Sequence, residues 1–220
     1  MKIVERLSSV LAAPAAYRFF TSMVGADTAW RIYLSEYVRP APGNKIIDIG
    51  CGPAVVLDYL ANVDYTGLDI SPEYIASAKK RYGSRGRFLC GDVGLAALEE
   101  EQGTFDLVLA TGVVHHLDDE RAARLFDLAR RVLRRTGCLV TYDGCLVDGQ
   151  SRIARWLLSK DRGNFVRTRE DYLRLASARF SKVEPALRHD LLRVPYTHLV
   201  MRCSNEVSGN NSSPGHSVSG

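Results

Sequence analysis

The sequence predicts an α/β domain built on a doubly wound, mostly parallel sheet, and three observations lead to this class. First, the apolar, β-branched run Lys45–Ile49 ends in two glycines, Gly50 and Gly52, and a further apolar segment follows them. Second, strand-like runs continue to alternate with segments of helical periodicity along the chain. Third, aspartates follow several of these runs at their carboxyl ends, the edge at which open parallel sheets bind ligands.

Length and composition predict a single domain. The chain has 220 residues, enough to bury a substantial core, and its formal net charge is +4. So small a charge, spread over helices and loops, does not favour a nucleic-acid surface. We expect one domain over residues 1–203 with an N-terminal helical cap over about 1–39 and an insertion over about 145–167. The Ser-, Gly- and Asn-rich end, 204–220, is expected to be disordered.

The cysteines and the apolar runs indicate where in the cell the protein is located. The five cysteines are odd in number and scattered without a C-x-x-C pair, which favours reduced thiols over disulfides or a zinc site. No apolar run reaches the length of a membrane span, and Glu5 and Arg6 interrupt any signal-peptide core. We therefore expect a cytoplasmic protein with no membrane partner and no metal.

The first half of the chain divides as follows. Residues up to about Val38 are predicted to be helical, and Pro40–Asn44 forms a turn into the first strand. A helix is predicted to open directly after the glycine turn, at Val55. Residues 65–70 form the second strand, and Ser71 followed by Pro72 is an N-cap and first-turn pair that starts a helix to about Tyr82.

The second half supplies the remaining strands. Strands are predicted over 86–93, 105–110 and 138–142, with a helix over 119–133 that ends at residues 134–137. A short amphipathic helix over 151–158 lies in the insertion, and a capping box at 168–171 starts the last helix. Two final strands near 182–188 and 195–203 form a close antiparallel pair. The chain thus holds seven predicted strands.

The glycine turn has two interpretations. The dinucleotide fingerprint needs a third glycine where this chain has Val55, so that pattern fails. An acidic residue two before the first glycine, then Gly-x-Gly-x-small, describes Asp48, Gly50, Gly52 and Ala54. This pattern resembles the first motif of class I S-adenosylmethionine-dependent methyltransferases, which often have glycine at the place of Ala54. The resemblance implies a seven-stranded Rossmann-like sheet with an antiparallel last strand, and the final hairpin agrees with it.

Three further strand ends complete the predicted cofactor site. Asp69, at the end of the second strand, is placed to accept hydrogen bonds from a ribose diol, and Ile70 follows it. The family resemblance implies that Asp92 and the backbone of Val93 meet the adenine of S-adenosyl-L-methionine, whereas an ordinary turn aspartate is the alternative. Thr111, at the end of the fourth strand, completes the set.

The sequence does not assign a catalytic residue. His115 and His116 are a poor metal pair because adjacent side chains point to different sides. Small-molecule methyltransferases of the ubiquinone/menaquinone-biosynthesis type often have a similar His-His pair here, and the resemblance implies that His116 lies near the cofactor while its neighbour packs. Candidates for a base are His116, Asp143 and His189. Other polar residues expected near the strand ends are Tyr142, Arg155, Asp161 and Arg162, and contacts from the N-terminal helices would involve Tyr17 and Arg31.

The sequence therefore favours methyl transfer to a small-molecule acceptor through O- or N-methylation. The Pro-Pro-aromatic motif of amino-methylating DNA enzymes is missing after the fourth strand, and no basic patch with aromatic platforms suggests RNA. The arginine-rich insertion suggests an acidic or polyhydroxylated acceptor. Two alternatives stay open: a non-catalytic protein that binds S-adenosylmethionine or S-adenosylhomocysteine, and a nicotinamide-dependent oxidoreductase.

Overall fold

The structure, a computed structural model, describes residues 25–92, 98, 100–160 and 163–205. The expectations for residues 1–24, including Tyr17, lie outside the described residues, as do those for Val93, Asp161, Arg162 and nearly all of the C-terminal end.

The described strands form one sheet in the order β3-β2-β1-β4-β5-β8-β7. Pairs among β1 to β5 are parallel, whereas β8 runs antiparallel to both β5 and β7. The predicted doubly wound sheet with an antiparallel last strand is thereby confirmed, and one short extra strand, β6, pairs with β5 alone. The bounds are β1 Lys45–Ile49, β2 Asp64–Asp69, β3 Arg87–Cys90, β4 Phe105–Thr111, β5 Leu133–Leu146, β6 Arg167–Thr168, β7 Lys182–Arg188 and β8 His198–Ser204.

Five α-helices lie in the described part of the chain, one before β1 and four between strands. They are α1 Ala26–Ile32, α2 Pro72–Tyr82, α3 Asp119–Val132, α4 Arg152–Lys160 and α5 Arg169–Ser177. A π-helix, Tyr33–Val38, continues α1. Polar side chains begin three of the helices, as expected for N-caps: Ser71 accepts from the amide of Tyr74, Asp118 from that of Arg121, and Thr168 from that of Asp171.

Two predicted boundaries were wrong. The segment after the glycine turn is only a 3-10 turn, Val55–Asp58, because its cap residue Ala54 adopts a left-handed backbone and Tyr59 already leaves the helix. The segment 134–137 does not separate helix from strand, because β5 begins at Leu133, which pairs with Phe105. The register then shifts between β4 and β5, and Gly137 allows the close approach, since a Cβ there would lie 2.8 Å from the carbonyl oxygen of Asp106.

The sheet separates two hydrophobic clusters. One includes Ile47, Val108 and Leu139 with the buried faces of α3 and α5, and the other includes Ile46, Leu109 and Val140 with the N-terminal helical segment and α2. Alternate residues of each central strand thus enter opposite clusters, as a strand buried on both faces requires. All five cysteines lie in the described residues and are free thiols. Within the same residues, no helix is both long and apolar enough to cross a membrane.

Candidate active site

A cavity of about 840 Å³ opens at the carboxyl ends of β1, β2, β3 and β4. Because neighbouring parallel strands end at the same edge, the residues that follow them in sequence meet there although they are far apart in the chain. Its size lies within the range of small-molecule sites. The cavity brings together these predicted residues: Asp48, Gly50, Gly52, Asp69, Ile70, Asp92, Thr111 and His116. Whether they bind a cofactor stays a prediction.

The turn after β1 needs its glycines for two different reasons. Gly50 has a φ of 72°, and a Cβ there would lie 2.4 Å from Cγ2 of Val113. Gly52 has a φ of 54°, and a Cβ there would meet no atom of the described residues within 4 Å, so its backbone faces open space. Ala54, at the place of the family's third glycine, also has a left-handed backbone, with a φ of 56°. The turn therefore presents bare main chain to the cavity.

The Asp69 carboxylate connects the glycine turn to the residue before α2. One carboxylate oxygen accepts from the amide of Gly52 and the other from the amide of Ser71, each at 2.8 Å. The sequence predicted that Asp69 accepts from a ribose, and the structure shows that its carboxylate also holds the backbone before α2. Each carboxylate oxygen can accept more than one hydrogen bond, so these contacts leave capacity for a ligand hydroxyl.

Asp48 is a buried carboxyl beside the turn, with 4% of its surface exposed. Oδ2 accepts a hydrogen bond of 2.8 Å from the Tyr65 hydroxyl, whereas Oδ1 is buried and has no hydrogen-bond partner among the described residues. Burial raises the pKa of Asp48 to about 7 from its ordinary 3.8, Tyr65 opposes the rise, and the Asp69 charge adds to it. Asp48 lines the cavity, and its carboxyl, when ionised, favours a cationic or hydrogen-bond-donating ligand.

Apolar side chains form other walls of the cavity. Ile70 is 72% exposed although it lies at the end of a buried strand. Val113, Leu117 and Trp30 also line the space, and Trp30 stacks on Tyr59 with ring centroids 6.2 Å apart. An exposed aliphatic side chain at a cavity rim gives a flat ring of a ligand a surface to cover.

The two adjacent histidines have different surroundings. His115 is buried, and Asp143 Oδ1 lies 2.8 Å from its Nδ1 and accepts from its amide at 3.2 Å. His116 lines the cavity, and the two rings are tilted with centroids 4.3 Å apart. The expected division, with one ring facing the crevice and the other packed, therefore matches the positions of the side chains, while a chemical role for either stays a prediction.

Arg167 stabilises the turn Val114–His116, which carries the two histidines (the histidine turn), and this role of Arg167 was not predicted from the sequence. Its side chain is 8% exposed, and the guanidinium donates to the carbonyls of Val114, Leu117 and Phe165 and to the carboxylate of Asp119. The Phe165 amide in turn donates to the carbonyl of His115 at 3.0 Å. Only the guanidinium fork can reach so many acceptors at once. An arginine before a capping box carries no sequence signal for this role.

A second hydrogen-bonded group supports the end of β4. Thr111 donates to the Tyr33 hydroxyl at 3.3 Å, and that hydroxyl donates to the carbonyl of Val140 at 3.1 Å. Burial raises the pKa of Tyr33, so the phenol stays protonated and can donate. The Tyr142 ring packs edge-on against Tyr33 at 5.4 Å. The π-helix thereby fixes one wall of the cavity.

The remaining candidates lie elsewhere. Asp143 is buried behind His115 and does not line the cavity. His189 lines a second, smaller cavity, and Arg155 is exposed on α4 away from both. Arg31 is exposed and lies over the Tyr59 ring at 5.8 Å. The sequence therefore placed the strand-end residues better than those on the insertion and the terminal hairpin.

Comparison with known proteins assigns the family. Residues 46–137 match the methyltransferase domain family. A putative methyltransferase of Mycobacterium tuberculosis is 32% identical over 121 residues, which cover 48% of this chain and 69% of the relative. The chain belongs to the class I S-adenosylmethionine-dependent methyltransferases. A ubiquinone biosynthesis O-methyltransferase of Azorhizobium caulinodans is 34% identical over 113 residues, 50% of this chain and 41% of that protein.

A solved structure shows the same fold at low identity. The phosphoethanolamine N-methyltransferase 2 of Haemonchus contortus, solved with S-adenosyl-L-methionine, has a TM-score of 0.64 and 16% identity over 80% of this chain and 52% of that one. The chain spans less than half the length of the first curated relatives it matches, 24–47%. The family's cofactor is S-adenosyl-L-methionine.

The cavity of this methyltransferase fits that cofactor on three counts. The carboxyl of Asp48 lines the cavity, and in its ionised form it complements a positively charged ligand and repels a pyrophosphate. The open space over Gly52 allows close approach to the main chain. The carboxylate of Asp69, between the glycine turn and α2, has lone pairs left for ribose hydroxyls. The residues present therefore suit an adenosyl group that carries a cationic chain.

Proposed function

We propose that this protein transfers a methyl group from S-adenosylmethionine to an oxygen or nitrogen atom of a small molecule. The observation that carries the proposal is Asp48, a buried carboxyl beside the glycine turn whose Oδ1 lacks a partner among the described residues. A nicotinamide dinucleotide would bring a pyrophosphate to this carboxyl, whereas the methionine end of the methyl donor, with an ammonium, a sulfonium and a carboxylate, carries a net positive charge. Charge thus favours the methyl donor.

In this proposal each strand end contacts a different part of the cofactor. Asp48 attracts the cationic end, Asp69 accepts from the ribose hydroxyls, and Ile70 covers one face of the base. Asp92 with the backbone of Val93 meets the base edge, as the family resemblance implies. The backbone at Gly50 and Gly52 allows close contact, and Thr111 borders the transfer position. The bound cofactor supplies a methyl group already activated by its sulfonium.

The chain's remaining task is to orient the acceptor and exclude water. Proximity and alignment of the acceptor atom lower much of the barrier for such a transfer. An acceptor hydroxyl or amine must lose a proton, and His116 is the titratable side chain of the predicted set that lines the cavity without a binding role in the proposal. We therefore place His116 as the base, with His115, Asp143 and Arg167 as positioning residues.

The proposal extends to the whole chain. One methyltransferase domain occupies residues 1–203, the helices before β1 cover the site, and the insertion over 145–167 contacts the acceptor. The protein acts in the cytoplasm on a small molecule and needs neither a nucleic acid nor a membrane. The free thiols support the cytoplasmic location, because disulfides are rare in cytosolic proteins.

Calorimetry with S-adenosylhomocysteine and NADH tests the binding part. We expect micromolar binding of the former, and binding of NADH alone would refute the proposal. Asp69→Asn should weaken S-adenosylhomocysteine binding by roughly 2–3 kcal/mol, about 30- to 160-fold, because charge-assisted hydrogen bonds are lost. The control Asp64→Asn changes an exposed carboxylate at the other end of β2 and should leave the affinity unchanged.

Turnover decides between an enzyme and a non-catalytic binder. The full chain is incubated with methyl-labelled cofactor and a metabolite library, and label in an organic product supports the proposal. His116→Ala should then lower kcat while the cofactor affinity changes little. A protein that binds the cofactor but labels nothing across the library would be a sensor or binding protein instead.

A further inference from the structure

Trp30 is an aromatic side chain of the active-site cavity that none of the proposed cofactor contacts involves. It lies on α1, is half-buried and lines the cavity. Within the described part of the chain, Tyr74 and His116 are the other aromatic side chains that line it, and Tyr74 lies on α2, which follows β2. An indole offers a large apolar surface, and the negative potential of its face attracts cations.

Two neighbouring rings hold the indole in place. Tyr59 stacks on it with ring centroids 6.2 Å apart and an interplanar angle of 20°, and Tyr33 packs edge-on at 5.9 Å. The Tyr59 ring is itself held, because its hydroxyl donates to the carboxylate of Asp27 on the same helix as Trp30. Stacking on Tyr59 occupies one face of the indole, so the cavity meets the rest of the ring.

The contacts of Tyr33 place Trp30 near the ends of β1 and β4. Thr111, at the end of β4, donates to the Tyr33 hydroxyl at 3.3 Å. Burial raises the pKa of Tyr33 and the charge of Asp48, on β1, raises it further, so these two side chains are close. In the sheet β1 lies between β4 and β2, and β3 lies beyond β2. A cofactor whose adenosine lies over β2 and β3 therefore brings its sulfonium towards β1, β4 and Trp30.

Methyl transfer changes the charge at this position. The bond between the sulfonium sulfur and the methyl carbon breaks with its electron pair left on sulfur, the acceptor atom forms the new bond to that carbon, and the acceptor's proton passes to the base. The sulfur of the methyl donor is therefore positive, whereas that of the product, S-adenosylhomocysteine, is neutral. An indole face beside the sulfur stabilises the charged form and adds only apolar contact to the neutral one.

We propose that Trp30 contacts the sulfonium of the bound cofactor through the free face of its indole, and that this contact distinguishes the methyl donor from the product. The inference rests on the proposed function, since it takes the cavity to hold S-adenosylmethionine. Trp30 and the ionised carboxylate of Asp48 both stabilise the positive charge of the donor. Transfer of the methyl group removes the charge on sulfur, so the contact weakens and the product is released more readily than the donor.

Calorimetry of the full chain with S-adenosylmethionine and S-adenosylhomocysteine, at one pH, tests the contact. The two ligands differ only in the methyl group and its charge, so the ratio of their dissociation constants measures how strongly the site favours the charge. Trp30→Leu keeps an apolar side chain and removes the π face, so the preference for the donor should fall about 3- to 30-fold, the strength of a cation–π contact. Trp30→Phe keeps a weaker aromatic face and should retain part of the preference. An unchanged ratio in Trp30→Leu would overturn the proposal.

The chain offers a matched control and a measurement that leaves Trp30 unchanged. Trp156 is 57% exposed on α4 and does not line the cavity, so Trp156→Leu should leave both dissociation constants as in the wild type. The sequence has two tryptophans, and in Trp156→Phe the tryptophan fluorescence comes from Trp30 alone. We expect saturating S-adenosylmethionine to quench this emission more strongly than S-adenosylhomocysteine, because the charged sulfur contacts the indole. Equal quenching by the two ligands would overturn the proposal.

Failure of this inference and failure of the proposed function give different results. A wild-type chain that binds neither ligand would refute the proposed function, and the role of Trp30 with it. Binding of both ligands, with a ratio that is the same in the wild type and in Trp30→Leu, would refute the role of Trp30 alone. A reduced ratio in Trp30→Leu, together with wild-type values in Trp156→Leu, would support both.

Discussion

Asp48→Asn is the substitution that most sharply tests how the site attracts its ligand. The wild-type carboxyl is buried, and its pKa is raised to about 7. A cationic ligand binds the ionised form, so its affinity should rise with pH until Asp48 is fully ionised. With a pKa of about 7, roughly 3% of the carboxyl is ionised at pH 5.5 and half at pH 7, which predicts an increase in affinity of up to about 15-fold, or ~1.6 kcal/mol.

Calorimetry with S-adenosylmethionine at both pH values measures the effect. The ligand's amino group has an ordinary pKa of roughly 7.7–8, so it stays mainly protonated across this range and contributes little. Asp48→Asn keeps the shape of the side chain and an oxygen for the Tyr65 hydroxyl, but it should bind weakly and almost independently of pH. Asp64→Asn, which alters an exposed carboxyl, should retain the wild-type dependence.

The stability of the ligand-free protein gives a second test, because the direction in which it changes with pH is defined. The folded pKa of Asp48 lies above the unfolded value, so folding favours the protonated form. The stability that protonation contributes is present below about pH 4 and is lost as the pH rises to about 7, by on the order of 4 kcal/mol at most. Urea unfolding should show this fall for the wild type and not for Asp48→Asn. Parallel pH profiles of the two proteins would refute the reasoning.

Two further predictions concern the framework of the site. Gly50→Ala should lower the free energy of unfolding by about 2–5 kcal/mol, because it adds a steric clash to a left-handed backbone. The control Gly43→Ala, at a φ of 82° with open space for the new Cβ, should lower it by only about 1–2 kcal/mol. Urea titrations measure both losses, and equal losses would contradict the clash. Arg167→Lys should lower the free energy of unfolding by about 2 kcal/mol and also lower kcat, because a single ammonium cannot reach the same acceptors. The control Arg169→Lys should change the free energy of unfolding by no more than about 0.5 kcal/mol and leave kcat unchanged. Wild-type turnover in the former would mean that the histidine turn needs no such support.

The sequence predicted the strands and their ends well for a physical reason. Buried parallel strands are short apolar runs that end in polar or glycine residues, so both the element and its ligand-facing tip are visible in one segment. Asp69 was recognised in this way, Asp48 and Asp92 were assigned through the family resemblance, and the fold brings all three to one cavity. The capping residues of α2 and α5 were equally visible, because a cap is a local interaction.

Contacts between distant segments could not be predicted in the same way. The hydrogen bonds of Arg167 to Val114 and Leu117 join residues far apart in the chain, and nothing in either segment alone indicates the other. The early start of β5 at Leu133 depends on the partner residue Phe105 across the sheet. The hydrogen bond that Gln150 donates to Thr197 likewise joins two segments that do not indicate each other.

The central claim is that the tips of successive parallel strands hold one adenosyl group. A crystal structure of the full chain grown with S-adenosylhomocysteine tests it directly. The claim predicts that the ribose hydroxyls lie within hydrogen-bond distance of Asp69, with the ligand's ammonium on the side of Asp48. A nucleoside found outside this cavity, or ribose hydroxyls beyond the reach of Asp69, would contradict it.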